Sequence, residues 1–161
     1  MIINDIRFKI YEYLKDKKET ITFAESCTGG LIAASFCEIP GVSEVFKGSI
    51  VTYSDDVKIN NLNIKSFTIN EYSAVSEKTA YEMAENAAKM FNSDYAISVT
   101  GYAGPSGGTK DDPVGTFYLG IYAKGNVTTI REFFPNLTRN ELRNKACECA
   151  YIRLSEVIFC E

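Results

Sequence analysis

The chain has 161 residues, 45% of them hydrophobic and 24% charged, with a formal net charge of −4. That is enough for one domain with its own core. It is too acidic for nucleic acid or an anionic membrane to be the main partner, since neutralising phosphates takes clustered lysine and arginine. Histidine is absent, which excludes Ser-His-Asp and Cys-His catalysis and any histidine-ligated metal.

Along the chain, Asn4 or Asp5 is placed to cap a first helix in which Ile6, Ile10 and Leu14 share one face. Residues 20–25 read as a buried strand, and a second helix is expected from about residue 27 to 37, stopping before Pro40-Gly41. Residues 49–53 form a β-branched strand, followed by a turn and a short helix over 54–62. Val75-Ser76 opens the clearest amphipathic helix, with Ala80, Met83, Ala84, Ala87 and Phe91 at helical spacing. A strand over 95–100 ends at Gly101 and gives way to a glycine-rich loop, 101–115, longer than an ordinary connection. "TFYLGIYA" and "VTTIREFF" flank Lys124-Gly125-Asn126 as a hairpin. Thr138 and Glu141 have capping-box spacing and open a last helix with Leu142, Ala146, Ala150, Leu154 and Val157 inward. The order of elements predicts an α/β fold over 1–161: three layers, α/β/α, around a mixed sheet.

Five cysteines, Cys27, Cys37, Cys147, Cys149 and Cys160, include no C-x-x-C pair. They read as reduced, mostly buried thiols of a cytoplasmic protein. No signal-peptide pattern or apolar run of span length is found, so no membrane association is expected.

A nucleophilic serine in a chain without histidine needs lysine, tyrosine, a carboxylate or an N-terminal amine as its base. Ser26 stands where a strand hands over to a helix, in Ala24-Glu25-Ser26-Cys27-Thr28-Gly29-Gly30. It is either a nucleophile, with the N–H groups of Thr28, Gly29 and Gly30 holding an oxyanion, or only the helix cap. Cys27 is a rival nucleophile, weaker for want of a histidine partner. Lys58, in "YSDDVK" with Tyr53, is either a solvated surface lysine or a base. As a base its pKa must fall by roughly three units from about 10.4 to act at neutral pH. Tyr53 is placed to relay the proton. The stretch "TGYAGPSGG" fits neither a Walker A motif nor G-x-G-x-x-G and is either an anion-wrapping loop or a surface turn. Arg139 and Arg143, at i and i+4, are a clamp for phosphate or carboxylate or a solvated helix face.

"FAESCTGGLIAASF", "IPGVSEVFKGSIVTYSDDVK", "AVSEKTAYEMA", "SVTGYAGPSGG" and "PVGTFYLGIY" occur in this order. Together they resemble the C-terminal domain of competence/damage-inducible CinA, which also occurs as a stand-alone nicotinamide-nucleotide amidase. The resemblance implies hydrolysis of nicotinamide mononucleotide to nicotinate mononucleotide and ammonia by a Ser-Tyr-Lys arrangement, without cofactor or metal. By motif, the nucleophile is Ser26 and its partners are Tyr53 and Lys58. Thr100 to Pro105, with Gly101, Ala103 and Gly104, would line the pocket, and Arg139 would contact substrate. The family tends to self-associate, so a homo-oligomer is expected. This chain departs from the family pattern at Leu137-Thr138, where Gly-Asp is usual, at Leu62-Asn63-Ile64, and at Ser73. Two other readings stand beside the amidase: a catalytically silent nucleotide-binding module acting through a protein partner, and an amidase for another small amide.

Overall fold

In the computed structural model, which describes residues 3–159, the chain runs α1 (Ile3–Lys17), β1 (Ile21–Glu25), α2 (Leu31–Phe36), β2 (Phe46–Val51), α3 (Asp55–Leu62), α4 (Ser66–Tyr72), α5 (Glu77–Phe91), β3 (Tyr95–Gly101), β4 (Thr116–Ala123), β5 (Asn126–Phe133) and α6 (Arg139–Phe159). The strands form one mixed sheet in the order β2-β1-β3-β4-β5. β1 pairs parallel with β2 and β3, and the remaining pairs are antiparallel. From β1 the chain crosses to β2 on one side, then back over β1 to β3 on the other. Right-handed crossovers in opposite directions put the connecting helices on opposite faces. The α/β/α layering expected from the order of elements is therefore present.

Each face has its own core. On one, Phe23 of β1 packs edge-on against Phe36 of α2, ring centroids 5.6 Å apart, with α1 and α6 closing over them through Ile10, Leu14 and Leu154. On the other, Met83, Ala87 and Ala88 of α5 lie on Ala24 and Ala96, with Leu62 and Ile64 anchoring the end of α3. Gly120 of β4 lets α5 come this close, because a side chain there would strike Ala80 O and Ser98 Oγ. β1 is buried along its whole length, as a central strand covered on both faces must be.

Several boundaries differ from the sequence expectation. Asp5 already lies inside the first turn of α1, so it does not cap it, and the side chain of Asn4 falls outside the described residues. α2 begins at Leu31, not near residue 27, because residues 27–30 form a turn ending in Gly30 at φ 100°. β2 starts at Phe46, whose ring packs on Phe23 at 5.1 Å, and ends at Val51, before Tyr53. In α6, Ile158 is buried and Val157 only half-buried. α4 had no sequence signal. Its first turn is held from another helix, by Glu82, which accepts from Lys65 N at 3.0 Å and Thr68 Oγ1 at 2.5 Å.

The hairpin turn is Lys124-Gly125, both at positive φ, with Ala123 paired to Asn126. The Thr138–Glu141 capping box forms, Thr138 N donating to Glu141 Oε2 at 2.7 Å. Cys27, Cys37, Cys147 and Cys149 carry free thiols; Cys160 lies outside the described residues. Among the described residues no helix is long and apolar enough to cross a membrane.

Candidate active site

The carboxyl ends of β1, β2 and β3 open on one crevice, at the point where the chain reverses its direction across the sheet. Open α/β sheets bind ligands at such switch points. Each strand delivers part of the site: Ser26 follows β1, Thr52 and Tyr53 follow β2, and Thr100 and Gly101 end β3.

Lys58 reaches this crevice from α3. Ser54 caps that helix, accepting from Val57 N at 3.3 Å. Asn63 at φ 56° closes it, with Ile64 N donating back to Lys58 O at 3.0 Å. Lys58 is 1% exposed. Its Nζ donates to Thr52 O at 2.7 Å and lies 3.1 Å from Ser26 Oγ. Burial pushes its pKa below the ordinary 10.5, opposed chiefly by the charge of Asp55. Lys58 forms no ion pair among the described residues. An amine held dry against a hydroxyl is equipped to accept that hydroxyl's proton. Cys27, by contrast, is a buried thiol pushed up to about 12 by desolvation, so no thiolate forms there near neutral pH.

The turn that carries Ser26 is gripped from both sides. Glu25, fully buried, accepts from Thr28 Oγ1 at 2.6 Å, Gly30 N at 3.0 Å, Ile32 N at 3.1 Å and Ala33 N at 2.9 Å. It satisfies the first N–H groups of α2 from the preceding strand, which the glycine at the cap cannot do. Arg143 holds the carbonyls, its Nε donating to Cys27 O at 3.1 Å and its Nη2 to Thr28 O at 2.9 Å.

These contacts correct three expectations. Gly29 N–H donates to Ser26 O at 3.0 Å and Gly30 N–H is taken by Glu25, so neither is open to a substrate. The Thr28 N–H has no partner among the described residues. It shares a peptide with the Cys27 carbonyl that Arg143 holds, so it points away from Arg143. Arg143 is not half of an anion clamp, because its guanidinium is spent on the serine turn. Tyr53 does not link Ser26 to Lys58. It is 57% exposed, and its Oη accepts from Arg139 Nη2 at 2.6 Å.

Arg139 also donates Nη1 to Gly104 O at 2.7 Å. The cavity above Ser26, about 160 Å³, is lined by Thr100, Gly101 and Ala103 as expected by motif, but not by Gly104. Tyr102, within the expected stretch, lines it too, and so do Ala74, Val75 and Asp55, which were not singled out for the site in the sequence. The loop beyond is folded on itself: Gly115 N donates to Tyr102 O at 2.9 Å, and Asp112 accepts from Tyr118 Oη at 2.9 Å and Arg131 Nε at 2.9 Å. A larger cleft, about 550 Å³, opens between α1, α2 and α6 and contains no residue of this site. Among the described residues no cluster of Cys, Asp or Glu has metal-binding geometry.

Fold and site together describe an α/β protein with a buried serine–lysine pair at the switch point of a mixed sheet. A family model described as the CinA C-terminal domain matches residues 3–158, and the chain belongs to that family. A CinA-like protein of Thermosipho melanesiensis is 42% identical over 157 residues, covering 97% of this chain and 38% of the relative. The chain spans about a third of the length of the curated relatives it matches. Among solved structures, competence/damage inducible protein CihA from Agrobacterium tumefaciens superposes with a TM-score of 0.91 at 35% identity, covering 94% of this chain and 93% of the other. The competence damage-inducible protein A (ComA) from Klebsiella pneumoniae does so with a TM-score of 0.93 at 32% identity, covering 98% of both.

Proposed function

We propose that the chain is a serine amidohydrolase that releases ammonia from the carboxamide of nicotinamide mononucleotide, leaving nicotinate mononucleotide. The observation that carries this reading is the buried Lys58 Nζ at 3.1 Å from Ser26 Oγ. Lys58, as the free amine, takes the proton of Ser26 while Oγ attacks the carboxamide carbon. Of the three expected oxyanion donors only the Thr28 N–H lacks a partner among the described residues. Thr28 is fully buried and outside the cavity lining, so the turn must shift before this N–H meets the substrate oxygen, a contact worth about 3 kcal/mol of barrier where such donors have been removed. The lysine ammonium then returns the proton to the leaving nitrogen, which departs as ammonia. Water, deprotonated by the same amine, hydrolyses the acyl-serine.

The cavity of about 160 Å³ is smaller than the roughly 300–1,000 Å³ that encloses a whole drug-sized ligand. It therefore takes a ring and its carboxamide, with sugar and phosphate outside, where Arg139 stands at the mouth. The same small volume favours a second reading, an amidase for another small carboxamide.

A panel of nicotinamide, its riboside, its mononucleotide and the dinucleotide, with ammonia detection, separates the two. The mononucleotide should be the best substrate, and turnover should survive EDTA. Ser26→Ala and Lys58→Ala should each abolish release in folded protein. Unchanged turnover in either variant removes that residue from the mechanism.

A further inference from the structure

The cavity wall holds one carboxylate. Asp55, the first residue of α3, lines the same space as Ser26 and Lys58, and it forms no ion pair among the described residues. The other fixed charge of the wall, Arg139, is tied to Tyr53 Oη and Gly104 O. Two aromatic rings, Tyr53 and Tyr102, also border the cavity. A carboxylate, two aromatic rings and a guanidinium around one small cavity suit a ligand that is positive at its ring and negative at its far end.

We infer that Asp55 is a specificity-determining residue that selects substrates whose carboxamide is carried by a cationic ring, such as an N-alkylated pyridinium, over uncharged carboxamides of the same shape. This deepens the amidase reading and rests on it for the identity of the substrate.

The carboxylate has a second consequence. Alone, its field favours the ammonium form of Lys58, which cannot act as a base. A cationic ring seated between them offsets that field, so the substrate itself helps to free the amine. An uncharged ring brings no such relief.

The discriminating experiment measures binding, which does not need turnover. Affinities of nicotinamide mononucleotide and its reduced form are determined by calorimetry on Ser26→Ala protein, with and without Asp55→Asn. The reduced form keeps carboxamide, sugar and phosphate but has an uncharged ring. Asp55→Asn is nearly isosteric at an exposed position. It should weaken binding of the charged-ring ligand about tenfold, as expected for an ion pair of a few ångströms near a surface, and leave the reduced form within about twofold. Equal changes for both ligands, or binding of neither, overturn the inference. Ammonia release by the unsubstituted chain is read alongside. Selective binding without ammonia defeats the amidase reading and leaves the role of Asp55 standing; ammonia release with equal changes does the reverse.

Discussion

Two ionisable side chains, Glu25 and Lys58, lie buried at the carboxyl ends of the parallel strands, on either side of Ser26, and they are treated in opposite ways. Glu25 accepts four hydrogen bonds from the turn and helix that follow it. Lys58 has a carbonyl and the serine hydroxyl within reach, and no counter-ion among the described residues. A saturated buried charge is a structural fixture, because breaking it leaves several groups unpaired. An under-partnered one is held in a state it would not choose in water, which is how reactive groups are made. The first therefore belongs to stability and the second to chemistry.

The largest effect that can break this contrast is on activity. Lys58→Met should lower ammonia release by about 10²–10⁴-fold, the range for loss of a general base. Its melting temperature should be unchanged or raised, since an apolar side chain of similar size relieves a buried amine. A variant that is inactive only because it unfolds would contradict the contrast. Glu25→Gln should do the opposite. One oxygen then faces donors that had two, at a cost of about 2–4 kcal/mol. At roughly 2–4 °C per kcal/mol for a chain of this size, the melting temperature should fall by about 5–15 °C, measured by thermal denaturation.

pH sharpens the same comparison. The titratable and charged groups near Lys58 are Asp55 on its own helix, the neutral thiol of Cys27 in the serine turn and Arg139 at the mouth. Folded, its pKa lies below the 10.5 of the free side chain. Between the two values the unfolded chain binds more protons, so stability rises with pH across that window. The cost of burying Lys58 is fully present below the depressed value and gone above 10.5. Lys58→Met should flatten that rise in denaturation midpoint. Activity should climb on the acid side as Lys58 loses its proton, and Asp55→Asn should move that limb to lower pH.

Smaller effects separate the two arginines of α6. Arg143→Ala frees the carbonyls of Cys27 and Thr28 and should lower kcat about tenfold with little change in KM, as misplacement of reacting groups does. Arg139→Ala should act mainly on KM. Smallest of all, Cys27→Ala should keep activity within about threefold, because a buried thiol with a pKa near 12 is no nucleophile at neutral pH.

Local pattern made much of the fold legible. The spacing of Ala80, Met83 and Ala87 marked α5, the Thr138–Glu141 box marked α6, and Lys124-Gly125-Asn126 marked the hairpin between β4 and β5. α4 was not legible, because the glutamate that holds its start comes from α5. At the site, Ser26, Lys58, Thr100 and Arg139 were singled out from their motifs. What they touch was not, since i, i+4 spacing says that Arg139 and Arg143 share a helix face but not that one turns to a tyrosine and the other to the serine turn. Glu25 left one readable trace: a carboxylate just before a glycine-capped helix is positioned to supply the acceptor that glycine lacks.

Titration of Lys58 itself tests the central claim most directly. The Cε resonance of a selectively labelled lysine, assigned by its loss in Lys58→Met, can be followed by NMR from acid to alkaline pH. The account predicts a midpoint clearly below 10.5, with the amine substantially free where ammonia is released. A midpoint at or above 10.5 would mean that the buried group keeps its proton and that Ser26 has no base.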